Sequence, residues 1–225
     1  MGAAGYSLPP QSISETVMKR IHSLLLATTF VAVTIPALAQ MPTTPPGAPD
    51  PTRVVAGTYT VEPSHSQVAF TVNHLGFSFY RGIFGDITGS MTLDPKTPAG
   101  AKVSIDIPIT KVVTTAEKLN EHLQKPEFFD SAKFPTAHFE STSVVAKGMT
   151  ATISGNLTIK GVTKPVVLKA KFVGAGHSML PGGSIAMGFE ATTTVKRSDF
   201  GISYGIPLVP DDVPLDIAVA FEKAK

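Results

Sequence analysis

The chain contains no cysteine. That excludes disulfides, thiolate-bound zinc, a cysteine nucleophile and a lipid-modified N-terminal cysteine. Charge is scarce as well: 16% of the 225 residues are Asp, Glu, Lys or Arg, and the net charge is +2. Without a clustered basic excess there is no footprint for nucleic acid. No G-x-S-x-G occurs, and Ser198 beside Asp199 has no histidine close in sequence, so a serine hydrolase lacks its machinery. Apolar residues make up 43% of the chain. That composition argues against general disorder and suits one domain with a real core, plus appendages.

Leu24–Ile35 is an apolar run that follows Lys19 and Arg20 and precedes Ala37-Leu38-Ala39. A basic start, a short apolar stretch and an A-x-A site describe a secretory signal peptide cut before Gln40. The run is short and broken by Thr28, Thr29 and Thr34, which argues against a membrane anchor. Residues before Met18 have no place in such a leader, so translation is expected to begin at Met18. A periplasmic or secreted protein with no stable membrane span follows as the expectation. Removing residues 1–39 takes out Glu15, Lys19 and Arg20 and leaves one net positive charge. Residues 40–54 carry Pro42, Pro45, Pro46, Pro49 and Pro51 and read as a solvated tether, with the folded domain at 55–225.

From there the period is that of strands. Val68, Phe70 and Val72 alternate with Ala69, Thr71 and Asn73, and a second run extends from about Phe79 to Leu93. Val103, Ile105, Ile107 and Ile109 share a parity. Further runs lie at 136–145, 149–159, 166–173, 184–195 and 213–221. Turn residues separate them, giving about eight strands with mostly short links, hence an all-β antiparallel sandwich or up-and-down barrel.

One segment departs from this period. Thr114 and Glu117 stand at capping-box spacing, and Leu119 and Leu123 fall on one helical face, so a single short helix is expected at about 115–125. An aromatic connector with Phe128, Phe129 and Phe134 follows. The helix is either a plug completing the core or a lid over a cavity.

Histidines are the remaining chemical candidates. His65 and His74 are nine residues apart, roughly 30 Å along an extended strand, which argues against one shared metal ion. His122, His138 and His177 show no ligand spacing. No catalytic residue, metal or cofactor is expected. The rival reading is an exported enzyme or metal protein using His65, His74 or His122. Arg197 is expected to pair with Asp199, the alternative being contact with a ligand phosphate.

The stretch Tyr59-Thr-Val-Glu-Pro-Ser-His-Ser-Gln-Val-Ala-Phe-Thr-Val-Asn-His-Leu-Gly76 resembles the start of the YceI-like lipid/polyisoprenoid-binding domain. Arg81-Gly82, Glu121-His122-Leu123, Phe128-Phe129-Asp130, Gly155-Asn156-Leu157-Thr158-Ile159 and Arg197-Ser198-Asp199-Phe200-Gly201 continue it in family order. The resemblance implies an eight-stranded lipocalin-like barrel, export, no enzymatic activity, and a long-chain lipid such as a polyisoprenoid inside the barrel. Where many relatives carry Arg and Asp before the His-Leu pair, this chain has Leu119 and Asn120, so a charged contact there is lost. The inward-parity residues Val68, Phe70, Val72, Phe84, Ile105, Ile107, Leu157, Ile159, Phe189 and Ala191 either line a cavity or fill a closed core. The residues alone leave both open, and the resemblance favours the cavity. His74, at a strand end, and Arg197 are the candidates for touching a polar head group. Oligomeric state is not legible.

Overall fold

β-branched and aromatic residues alternating with polar ones build the walls of the molecule, and prolines and glycines set where each wall bends. The computed structural model describes residues 43–179 and 183–224. The expected leader at residues 1–39, with its Met18 start, lies outside the described residues. Those residues form β1 (Gly57–Val61), β2 (Gln67–His74), β3 (Ser78–Phe84), β4 (Thr88–Leu93), β5 (Lys102–Pro108) and β6 (Val112–Val113). After helix α1 (Glu117–Leu123) come β7 (Thr136–Lys147), β8 (Thr150–Ile159), β9 (Val162–His177), β10 (Ile185–Lys196) and β11 (Asp212–Lys223). Among the described residues no helix is long and apolar enough to cross a membrane.

Six of these segments are halves of three bent strands. A 3-10 turn at Pro63–His65 joins β1 to β2, and a turn at Ile109–Lys111 joins β5 to β6. Between β3 and β4 the chain bends at Gly85-Asp86, with Asp86 at φ 52°. Taken as continuous, the strands number eight, all antiparallel, and each pairs with its neighbours in the chain. β11 pairs with both β1 and β2, which closes the barrel. The strand period left a sandwich or an up-and-down barrel open, and the structure is the eight-stranded barrel that the resemblance implies.

An up-and-down path puts alternate connections at opposite ends. The β2–β3, β8–β9 and β10–β11 connections share one end with the helical crossing from β6 to β7. The β4–β5, β7–β8 and β9–β10 connections share the other. At the helix end Lys160-Gly161 takes left-handed φ angles of 53° and 76°, the twist that suits a two-residue hairpin. Cores form at both ends: Tyr59, Ile87, Met91, Met187 and Phe221 at one, and Val68, Phe84, Ile109, Val112 and Leu123 at the helix end.

From Pro46 onward the backbone of the proline-rich segment is tied to the barrel, while Pro46, Pro49 and Pro51 stay exposed. β9 outruns β8, whose pairing ends at Lys171, so the last residues of β9 have a free edge. Ala48 takes it, exchanging backbone hydrogen bonds of 3.0 and 2.9 Å with Ala175. Arg53 Nη1 donates to the Pro46 carbonyl at 3.2 Å, and Val54 is buried beside Tyr59 and Phe172. Gly176 permits the approach, since a Cβ there would stand 2.1 Å from the Pro46 oxygen. Prolines preset an extended backbone, and an open strand edge accepts one.

Helix α1 is where expected, but the capping box is absent. Ala116 is the N-cap and makes no side-chain cap. Thr114 instead points its backbone N–H and its hydroxyl at Asn120 Oδ1, both at 2.7 Å. A carboxamide one turn further along outcompetes Glu117 for the threonine.

Candidate functional site

The strands leave a gap at the helix end. β3 meets β6 only at Ile83 and Phe84, so among the described residues Ser78–Gly82 have no strand on their second side. Helix α1 and the connector after it cross this gap. Tyr80 Oη and Thr115 Oγ1 share a hydrogen bond of 2.9 Å, and Gln124 Nε2 donates to the Ile109 carbonyl at 3.2 Å. Phe129 stands edge-on to Phe84, centroids 5.6 Å apart.

Beneath this cover lies a cavity of about 520 Å³, within the range of small-molecule sites. Val68, Phe70, Val72, Phe84, Ile107, Leu157 and Ile159 form its strand walls, and Leu119, Leu123, Phe128 and Phe129 its roof. Arg81-Gly82 shapes one wall: a Cβ on Gly82 would stand 2.3 Å from the Phe70 ring, so the ring can keep this place only beside glycine. Polar groups in the lining come from His74, Tyr80, His122, Arg197 and Tyr204.

Three expected lining residues are elsewhere. Phe189 packs on Phe172 and Phe221 at the other end, where it lines a second, separate cavity of about 240 Å³ with Val54, Met91 and Met149. Ile105 packs between the barrel's core clusters, and Ala191 is buried; neither lines the first cavity. Parity says which residues point inward, but not how far along the barrel axis they stand.

Arg197 does reach the cavity, yet its guanidinium is committed to the protein. Nε donates to Pro210 O (2.9 Å), Nη1 to Ile202 O (3.2 Å) and Tyr204 O (2.7 Å), and Nη2 to Val209 O (2.7 Å). Four of its five N–H groups therefore hold the loop between β10 and β11. The expected pair with Asp199 does not form, because backbone carbonyls of the same loop surround the fork first. Burial pushes the guanidinium pKa below its ordinary range, with the charge of Asp211 opposing. Asp211 accepts from Ser198 Oγ (2.7 Å) and Ser198 N (2.8 Å), and these bonds hold its carboxyl below the usual carboxylate range.

A family model described as a YceI-like domain matches residues 59–221. The chain belongs to the YceI-like family. It is similar to a UPF0312 protein of Pseudomonas aeruginosa (strain LESB58), with 42% identity over 158 residues, 70% of this chain and 82% of that one. Protein YceI of Salmonella arizonae is 41% identical over 167 residues, 73% and 86% of the two chains. Among solved structures, the YceI protein of Campylobacter jejuni has a TM-score of 0.60 at 29% identity, covering 68% of this chain and 90% of that one. A polyisoprenoid binding domain from Saccharophagus degradans shares the fold, with a TM-score of 0.57 at 16% identity, over 74% and 98% of the chains.

In this YceI-like barrel the histidines are dispersed. His65 is exposed and bonded to Glu62, and His138 Nδ1 lies 2.7 Å from Asp106 Oδ1. His122 Nε2 lies 2.9 Å from Glu127 Oε1, its ring edge-on to Phe128 and Tyr204. Among the described residues no three His, Asp or Glu side chains are grouped to hold a metal ion. His74 is at the cavity rim, as its strand-end position suggested. Sequence reasoning did not place Tyr204 and Val209 in the lining, since they belong to a loop without period. Ile109, Val213 and Leu215 were readable from the parity of their strands.

Proposed function

We propose that this YceI-like barrel is an exported binding protein that holds the apolar chain of a polyisoprenoid or similar long-chain lipid in the cavity under α1, as carrier or buffer. The carrying observation is the cavity itself: aliphatic and phenyl side chains make up most of its wall, and of its few polar groups Tyr80, His122 and Arg197 are already bonded within the protein. By the scale on which a 150 Å³ cavity takes benzene, its volume suits a chain of roughly twenty carbons. Each buried CH₂ is worth about 0.8 kcal/mol, so ten sequestered carbons supply roughly 8 kcal/mol before the costs of binding. No charged clamp is needed.

The structural neighbour described as a polyisoprenoid binding domain supports the choice of ligand class, and the basic, apolar, A-x-A pattern of residues 19–39 supports export. A head group at the mouth would meet His74 and the one Arg197 N–H left over from the loop. Native mass spectrometry of the protein from its own host tests the reading. A lipid-mass adduct is expected. A metal adduct instead favours the histidine-based rival, and neither adduct, with no lipid uptake by the purified protein, ends the carrier proposal.

A further inference from the structure

We infer that the helix end of the barrel docks on the surface of a lipid bilayer, through two apolar tips that frame the cavity mouth. The inference rests on the lipid-binding reading above and names where the ligand is exchanged.

One tip is the β2–β3 turn, with Leu75, Phe77 (86% exposed) and Phe79 (67%). The other is the loop before β11, with Tyr204 (56%), Ile206 and Leu208 (70%). Large apolar side chains left in water together mark an interaction surface. Both tips border the cavity, since His74 and Tyr80 on one side and Tyr204, Gly205 and Val209 on the other belong to its lining. Their backbones are also fixed by the protein, with the Tyr204 ring resting on His122 and Phe128. Asn73 Oδ1 accepts from Gly76 N–H at 2.9 Å, and Arg197 ties down four carbonyls of the second loop.

The occupant follows from charge and from the ligand. Neither 74–82 nor 201–210 contains a carboxylate, and the first carries Arg81. Glu127, on the connector beside the mouth, is already bonded to His122. Helix α1 at the same end carries exposed Glu117 and Glu121, offset by Lys118 and Lys125. The tips themselves thus present no carboxylate to an anionic head group, and aromatic side chains are those that settle at a membrane interface. A long-chain lipid in a bilayer reaches the cavity without crossing water only if the mouth faces that bilayer.

The chain contains no tryptophan, so Phe77→Trp places a single reporter at one tip and Val145→Trp places one on β7 toward the opposite end. The exported protein, purified from its own host, is mixed with vesicles of phosphatidylethanolamine and phosphatidylglycerol carrying brominated acyl chains, which quench tryptophan on contact. The Phe77→Trp emission is expected to shift to the blue and lose most of its intensity, with Val145→Trp unchanged. Leu208→Trp repeats the measurement if Phe77→Trp does not fold. Equal quenching at both ends, or none at the tips, overturns the inference. So does a blue shift that follows protein concentration without vesicles, which assigns the tips to a second copy. Native mass spectrometry keeps the two proposals apart. A lipid adduct without quenching sinks the docking alone, and quenching with neither an adduct nor lipid uptake by the purified protein sinks the carrier reading and leaves the tips as a membrane contact of another purpose.

Discussion

Phe70 and Arg197 show how a side chain's surroundings, more than its type, set its role. The Phe70 ring lies in the cavity wall over Gly82. Phe70→Asp puts a carboxylate where only carbon surrounds it, and loss of the lipid adduct is the expected outcome in native mass spectrometry. Phe70→Leu, which keeps the wall apolar, should retain the adduct. Full retention by a folded Phe70→Asp protein removes the residue from the site. Arg197 was a candidate for a head group, and the structure makes it chiefly the peg of a loop. Its neighbour Asp211 carries a pH signature. The hydrogen bonds from Ser198 hold the folded pKa below the unfolded value of about 3.9. As pH falls, the unfolded chain therefore takes up a proton first. The contribution is full above the unfolded pKa and is lost as pH drops through the folded one. Thermal melts of Asp211→Asn between about pH 5 and 2 are expected to lose part of the acid dependence that the parent protein shows.

Among the elements, the strands followed from period alone and the connections did not. Alternation along residues 213–221 faces Val213, Leu215 and Ile217 inward whatever the rest of the chain does. A short helix has no such redundancy, and the Thr114–Glu117 spacing was overruled by Asn120, which reaches Thr114 only once the turn has formed. The contact made by the proline-rich segment is likewise not local. Its composition describes a stiff extended chain, but not the free edge of β9 that receives it. Gly176→Ala tests this at the scale of the element. With a Cβ aimed at the Pro46 carbonyl, the segment should leave the edge, and trypsin should cut after Arg53 several-fold faster. An unchanged cleavage rate means the docking is too weak to protect the chain.

For the whole molecule, closing eight strands leaves a barrel just wide enough for side chains or for one small ligand, and here side chains fill part of the interior while a cavity of about 520 Å³ is left at the helix end. If lipid occupies the cavity, the loaded protein melts higher than the stripped protein. Ligand at about a hundred times its Kd adds about 2.7 kcal/mol, or a rise of roughly 5–10 °C for a domain of this size. Identical melts with and without a detectable adduct would show that the lipid is not held by the folded state. The sequence by itself determined the eight strands, their antiparallel order and their inward faces, because each depends on a period of two and on local turn chemistry. It also determined that a covering helix breaks the pattern, and the resemblance supplied the family. Only the tertiary structure decided which inward residues meet empty space. Phe70 and Phe189 share a parity class and a chemistry, yet they line different cavities. Height along a barrel depends on strand bends and on register with distant strands. Neither is encoded in the neighbourhood of a single residue.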